Sequence, residues 1–258
     1  MKTISIVTVV YNDCYNIEKT ILSVANQTFK DFEYIVVDGN STDGTQAVVY
    51  SHQDKVTTFI SEPDCGIYDA MNKAIDLASG EWILFMNSGD TFYGDDTLEE
   101  LFKNDFDSSI DIVFGDTVYV YKWGKTLEVT PQPLAFKYNL PFTHQSSMVR
   151  TRLLKERKFD LSYKILADLE SFYYFYKNNY KFLQVDLIIS NYDMSGFSFT
   201  HPTLLYEENA RIFGRNSCGV RHVIMLFLIR VKYSIMGIIP SSVVDSIRKY
   251  KKRSKIVG

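Results

Sequence analysis

Residues 67–90 read IYDAMNKAIDLASGEWILFMNSGD. Ile67, Ala70, Met71, Ala74, Ile75 and Ala78 recur every three or four residues, which lays one apolar stripe along a helix. Ser79 and Gly80 stop that helix. Residues 81–86, EWILFM, then have the length and apolar density of a strand covered on both faces. A helix running straight into a buried strand predicts a layered, mostly parallel sheet. The strand ends in Asn87, Ser88, Gly89 and Asp90, which is more polar turn chemistry than a plain exit needs.

Upstream the same unit repeats. Residues 3–10, TISIVTVV, read as a strand, followed by the polar turn YNDCYN. Ile17, Ile21, Val24 and Ala25 fall at helical spacing, with Asn16 as the expected N-cap. Residues 33–38 (EYIVVD) and 56–61 (VTTFIS) read as two further strands, and Asp43 or Thr45 is placed to cap a short helix between them. Ligands of such sheets bind beyond the carboxyl ends of the strands. The clusters YND, DGNSTDGT, EPDCG and NSGD should therefore share one edge, carrying Asp13, Asp38, Asp43, Asp64 and Asp90 and no Lys or Arg. An acidic edge accepts an anionic ligand only with a cation between them, which a divalent metal with a phosphate substrate supplies. Asp43, Asp95 and Asp96 precede short helices and read as caps, whereas Asp38 and Asp90 close buried strands without a capping pattern.

Downstream, residues 111–130 predict a strand, a turn at Trp123, Gly124 and Lys125, and a returning strand. Residues 131–143 hold three of the six prolines and read as a surface loop. HQSSMVR (144–150) is strand-like, and LADLESFYYFYKN (166–178) is an aromatic helix.

The 258 residues, 46% apolar and 23% charged, suit one sizeable domain with an appendage and exclude a disordered chain. The net charge of −3 is unevenly spread. From Arg221 onward there are 9 Lys and Arg and one acid, Asp245, so the rest holds 19 of the 28 bases and 30 of the 31 acids. An acidic body with a basic tail points to an anionic partner for the tail. The apolar run 223–229 falls short of the roughly 18 residues a spanning helix needs. Residues 248–255, RKYKKRSK, add six bases. Two readings stand: an interfacial anchor on anionic lipid, or a helix packed on the domain with a solvated basic end. Cys14, Cys65 and Cys218 fit no metal or disulfide framework and read as reduced thiols. With no secretory pattern at the start, a cytoplasmic location is expected, with peripheral attachment to the inner face of the cell membrane if the tail is an anchor.

No glycine-rich turn follows the first strand, which removes the dinucleotide fingerprint and the P-loop. What is present, in order, is SIVTVVYN, ANQTFKDFEYIVVDGNSTDGT, EPDCGIYDAMNKAIDLASGEWILFMNSGD, HQSSMVR and YKILADLESF. This series resembles the family-2 glycosyltransferases with the GT-A fold, of the bacterial polysaccharide-synthesis type, densely over residues 3–92 and patchily over 140–200. The resemblance implies a Rossmann-like α/β sheet with helices on both faces and a C-terminal helical tail. It divides the chain into a nucleotide-sugar half (1–125), an acceptor half (126–219) and the apolar, basic tail (220–258).

The resemblance also implies roles. Asp90 matches the acid of the DXD-type motif that holds Mn2+ or Mg2+ against the diphosphate, while Asn87 and Gly89 stand where carboxylates are common. Tyr11 matches the residue packed on the nucleotide base, and Asp38 the acid that binds a uracil-type base. Asp64 and Gly66 lie in the loop beside base and phosphates. Asp69 and Asn72 face the donor, or form a solvated helix face. Asn87 and Ser88 lie on the donor side. Asp168 matches the catalytic base, with an N-cap as its alternative role and Glu170 as the alternative base. His144 and Gln145 fall on the acceptor or leaving-group side, and His201 is the remaining candidate histidine. The implied activity is inverting transfer of a sugar from a UDP-type donor to a hydroxyl of a glycan or lipid-linked acceptor, with no nucleic acid involved. The reading from a different class is a catalytically inactive sugar-nucleotide or glycan-binding subunit of a synthesis complex.

Overall fold

The computed structural model describes all residues except Met1, Asn104, 132–133, 135, 137–139, 195–200, 216–218, 239–242, 244, 247–248, 251–255 and Gly258. The first half runs β1 (Ile4–Val10), α1 (Ile17–Ala25), β2 (Phe32–Asp38), α2 (Thr45–Ser51), β3 (Thr58–Ser61), α3 (Ile67–Leu77), β4 (Trp82–Phe85), β5 (Thr91–Phe92) and α4 (Thr97–Leu101). There follow β6 (Ile112–Tyr121), β7 (Gly124–Glu128), β8 (Ser147–Arg150), α5 (Thr151–Glu156), α6 (Ala167–Lys177), β9 (Phe182–Asp193), α7 (Pro202–Ile212), α8 (Val220–Ile238) and β10 (Ile256–Val257).

Successive side chains of a strand point to opposite faces, and here both faces are apolar. Ile4, Ile6 and Val10 of β1 join Tyr34, Val36, Trp82 and Leu84 in one core. Val7 and Val9 join Ile35, Val37, Ile83 and Phe85 in the other. Each core needs its own helical cover. Ile17, Ile21, Val24, Val49 and Leu98 of α1, α2 and α4 close the first. Met71 and Ile75 of α3, Leu153 and Leu154 of α5, and Leu169, Phe172 and Phe175 of α6 close the second. The sheet order is β10-β7-β6-β8-β4-β1-β2-β3, with β9 beside β6 and β5 beside β9. β1 pairs in parallel with β2 and β4, and β2 with β3, so their polar exits do reach one edge. β8 lies antiparallel between β4 and β6, which joins the two halves in one sheet.

Several local expectations need correction. Asn16 occupies the N-cap of α1 without a capping bond, and its amide donates to Asp13 instead. Gly44, not Asp43 or Thr45, is the N-cap of α2; Asp43 sits one residue earlier and receives the Thr45 N–H and hydroxyl. Asp96 is the N-cap of α4, again without a side-chain bond. The stripe of α3 is buried as expected at Ala70, Met71, Ala74, Ile75 and Ala78, but Ile67 at its start is exposed, and Tyr68 and Asn72 widen it. Tyr121 pairs with Gly124, so the hairpin turn is Lys122 and Trp123. The supposed surface loop 131–143, partly outside the described residues, buries Phe136 and Phe142 among aromatic neighbours. Long β9 was not anticipated. Cys14 and Cys65 are free thiols, and Cys218 lies outside the described residues.

The turn from α3 into β4 is tied to β1 and β2. Glu33 receives Ser5 Oγ at 2.5 Å, Ser79 N at 2.6 Å and Gly80 N at 3.1 Å. A Cβ on Gly80 would lie 2.5 Å from Ser5 N and 2.6 Å from Ile4 C, both backbone atoms that cannot swing aside. Gly80→Ala is therefore expected to destabilise the fold by about 1–3 kcal/mol, read as a lower urea midpoint at unchanged m-value.

Candidate active site

The exits of β1 and β2 are zipped together by short polar side chains. Asn12 N donates to Ser41 Oγ (2.7 Å), Thr42 N to Asn12 Oδ1 (2.9 Å), Asp13 N to Thr45 Oγ1 (3.0 Å) and Cys14 N to Asp43 Oδ2 (3.0 Å). Burial raises the Asp43 pKa, but bonds from Thr45 and the Cys14 N–H outweigh it and hold the group at about 2. Asp38 is buried beneath this zipper, and its carboxylate receives Ser41 N, Ser41 Oγ and Ser61 Oγ. Above it, Tyr11 stands 65% exposed. Gly39 has Asp64 and Tyr11 so close that a Cβ there would lie 2.5 Å from Asp64 Oδ2 and 3.1 Å from the Tyr11 ring. Tyr11 and Asp64 thus both pack close against Gly39. Asp64 Oδ1 receives Gly66 N (2.8 Å) and Asp69 Oδ2 receives Cys65 N (3.0 Å), which fixes the loop entering α3.

The exit of β4 is held from several sides. Ser88 Oγ donates to Asp13 Oδ2 (2.7 Å), linking it to the exit of β1. Gly89 N donates to Thr20 Oγ1 (3.0 Å), and Thr20 Oγ1 in turn donates to the Asp90 carbonyl (2.8 Å). The Asp90 carboxylate is buried and receives Gln145 Nε2 (2.9 Å) and Asp193 N (2.8 Å). Burial pushes its pKa up to about 7, against the pull of those two bonds. Lys19 pairs with Asp193 at 3.1 Å and Lys73 with Glu62 at 2.9 Å, so two lysines outside the loops temper an edge expected to be purely acidic.

A partly buried polar line runs from this exit to α6. Asn87 Nδ2 lies 3.1 Å from His144 Nε2, and His144 Nδ1 lies 2.8 Å from Asp168 Oδ2. An ionised carboxylate only accepts, so the Nδ1 proton points to Asp168, while Nε2 faces the Asn87 amide. The Tyr68 hydroxyl lies 2.6 Å from the Ile165 carbonyl and 3.0 Å from Asp168 Oδ1, and Leu169 N donates to the same oxygen. Burial would raise the Asp168 pKa. The His144 bond and charge, with help from Leu169 N–H and Tyr68, bring it below the usual value instead. Leu166, not Asp168, is the N-cap of α6. The backbone before α6 is satisfied from α7, where buried Glu208 receives Lys164 N, Ile165 N (3.0 Å) and Leu166 N (2.9 Å).

Asp168, His144, Gln145, Asn87 and Asp90 therefore converge, and Tyr68 joins them. Sequence reasoning missed Tyr68 because it sits between the stripe residues. Its i, i+4 relation to Asn72, with both side chains meeting the 159–168 segment, was the available signal. Asn72 has a different task from the one expected: its amide receives Phe159 N and donates to Phe159 O, both at 2.9 Å, so both ends hold the chain leading to α6. Glu170 turns to the opposite face of α6. It pairs with Arg157 at 2.6 Å beside a groove lined by Tyr163, Tyr173, Tyr174, Lys177 and Arg211. His201 is exposed at the start of α7.

Among the described residues, no group of three or more His, Cys, Asp or Glu side chains could hold a metal. The oxygens on offer are hard donors: the Asp90 carboxylate and Asn87 Oδ1, which is buried without any hydrogen-bond partner. That pair fits a divalent ion that takes most of its oxygens from its ligand.

The family profile described as "Glycosyl transferase family 2" matches residues 5–165. A "PGL/p-HBAD biosynthesis glycosyltransferase" of Mycobacterium bovis is 35% identical over 155 residues, covering 57% of this chain and 59% of that protein. The chain thus spans about three-fifths of the length of the curated relatives it matches. Among solved structures, S. aureus TarS 1–349 in complex with UDP-GlcNAc aligns with a TM-score of 0.65 at 22% identity, over 86% of this chain and 69% of that one. The mannosyltransferase PcManGT from Pyrobaculum calidifontis, in complex with GDP-Man and Mn2+, aligns with a TM-score of 0.63 at 16% identity, over 83% and 63%. At these identities the structural likeness establishes the fold, which is GT-A.

Proposed function

Because the chain belongs to glycosyl transferase family 2, we propose that it is an inverting glycosyltransferase in which Asp168 is the general base. The observation that carries this reading is the partly buried line Asn87–His144–Asp168–Tyr68, which ties the turn after β4 to α6. The donor is a nucleotide-diphosphate sugar, read as a UDP-sugar, and the acceptor a hydroxyl of a glycan or lipid-linked sugar. Tyr11 offers its exposed ring to the base, and Asp64 of the neighbouring loop lies close to it across Gly39. The acceptor oxygen attacks the anomeric carbon, its proton passes to Asp168, and the carbon–oxygen bond to the diphosphate breaks with its electron pair leaving on the diphosphate. His144 keeps Asp168 ionised and aimed, which makes it a positioning residue. Asp90, with Asn87 Oδ1 beside it, would hold Mn2+ or Mg2+, which supplies positive charge to the departing diphosphate when bound.

A second reading has its own support. Asn87 replaces a carboxylate, and no three-ligand group exists among the described residues, as suits an inactive sugar-nucleotide or glycan-binding subunit. Donor hydrolysis with Mn2+ present separates the two readings.

Asp168→Asn keeps shape but loses basicity, so turnover should fall at least about 100-fold with donor affinity nearly unchanged. Glu170→Gln, altered on the opposite face of α6, should stay within a few-fold of wild type. If the two effects are exchanged, the base is misassigned.

His144→Gln gives a pH signature. The groups around Asp168 are Tyr68 from α3, His144 from the turn before β8, and Glu208 of α7, which acts on Tyr68. With the imidazole gone, burial dominates and the Asp168 pKa rises, so the base is protonated at a higher pH. The acid limb of kcat/KM should move upward relative to wild type, a shift that mere loosening of the fold does not produce.

Asp90→Ala should abolish turnover while near-UV circular dichroism is retained, and chelator should do the same to wild type. Full activity in excess EDTA ends the metal assignment.

A further inference from the structure

The mechanism leaves α8 without a task, and its surface is unusual for a helix on a folded domain. Phe227 is 64% exposed, Val223 62%, Ile224 53% and Leu228 52%, and Val231 is exposed as well. Val223, Phe227 and Val231 form one row at four-residue spacing, and Ile224 and Leu228 form the adjacent row. Helical geometry puts Arg230 just outside the first row and Lys232 just beyond the second, so exposed bases border the apolar face on both sides. The helix contains Arg221, Arg230 and Lys232 and no acid, and residues 248–255 bring six more bases. Among the described residues, no helix is long and apolar enough to cross a membrane.

We propose that α8 docks in the surface of an anionic lipid bilayer. Its apolar face enters the boundary between headgroups and acyl chains, and Arg230 and Lys232 engage the lipid phosphates, with the positive charge of residues 248–255 adding to the attraction. A helix that lies in an interface needs a contiguous apolar face and flanking cations that reach back to the headgroups, and α8 has both. Charge selects this occupant over a second copy of the chain. Pairing two such faces would bring two sets of cations together with Asp245 as the lone acid after residue 220. The inference rests on the proposed transferase reading in one respect: a surface-bound enzyme suits an acceptor whose sugar is carried on a lipid.

The test is co-sedimentation of the full chain with vesicles of phosphatidylglycerol and phosphatidylcholine or of phosphatidylcholine alone, with donor hydrolysis measured in parallel without vesicles. Wild type should bind the anionic vesicles at least about tenfold more tightly, with partial release in high salt. The double substitution Phe227→Glu, Leu228→Glu should reduce that binding at least about tenfold. Lys251→Gln, Lys252→Gln, Arg253→Gln should weaken it at low salt by a similar factor. Hydrolysis should be unchanged in both variants, which also shows that they fold. Absence of wild-type binding at low salt overturns the proposal. So does a wild-type dimer that the double substitution converts to monomer with vesicle binding intact, because the face then belongs to a second copy. Vesicle binding without hydrolysis in any form sustains docking and sinks the transferase reading alone.

Discussion

The bond between His144 Nδ1 and Asp168 Oδ2 is the point at which the two halves of the site constrain each other. An imidazole has two ring nitrogens, and here both are used: the second meets Asn87 at the end of β4. Displacing α6 from the exit of β4 would break this part-buried hydrogen bond and take from the Asp168 carboxylate one of the donors that hold it. Glu208 secures the same helix from the opposite direction. Its one carboxylate satisfies three backbone N–H groups of the segment that leads into the helix. Asp168 takes the Leu169 N–H of the first turn and also faces Tyr68 and His144.

The acids of the sheet edge divide by what holds them. Asp38 and Asp43 are consumed by hydroxyl and backbone donors and shape the loops after β1 and β2. Asp90 is sunk beneath the surface, which raises its proton affinity, while Gln145 and the Asp193 backbone brace it and pull the other way. The edge is therefore a set of rigid loops built around internal carboxylates, with the Asn87 carbonyl oxygen the conspicuous group left unsatisfied.

The first half of the fold was legible in the sequence because every local signal agreed. Runs such as TISIVTVV and EYIVVD are buried on both faces, so apolar continuity alone marks them, and the strands found start or end within two residues of the expected positions. The second half obscured its own pattern. β9 spans 12 residues but carries mixed polarity and meets β6 across a register break, so no simple periodicity announces it. Asp168 and His144 could be assigned by resemblance, but the partnership of His144 with Asn87 and of Asp168 with Tyr68 spans 57 and 100 residues, which local spacing cannot reveal. Asn72 misled because a polar residue on an amphipathic helix was read as outward-facing, while the Phe159 backbone gave it a reason to turn inward.

After α8 the chain does not trail away. Ile256 and Val257 return as β10 to pair with Thr126 and Lys125 on β7, at the far edge of the sheet. Residues from α7 to the end thus form a closed loop anchored at two separate places, and closing so long a loop adds little entropic cost per extra residue. A tether fixed at one point lets its cargo roll freely about the attachment. A strap fixed at both ends defines a plane. The return of β10 to β7 thus leaves the stretch of chain that carries α8 held to the domain at both of its ends.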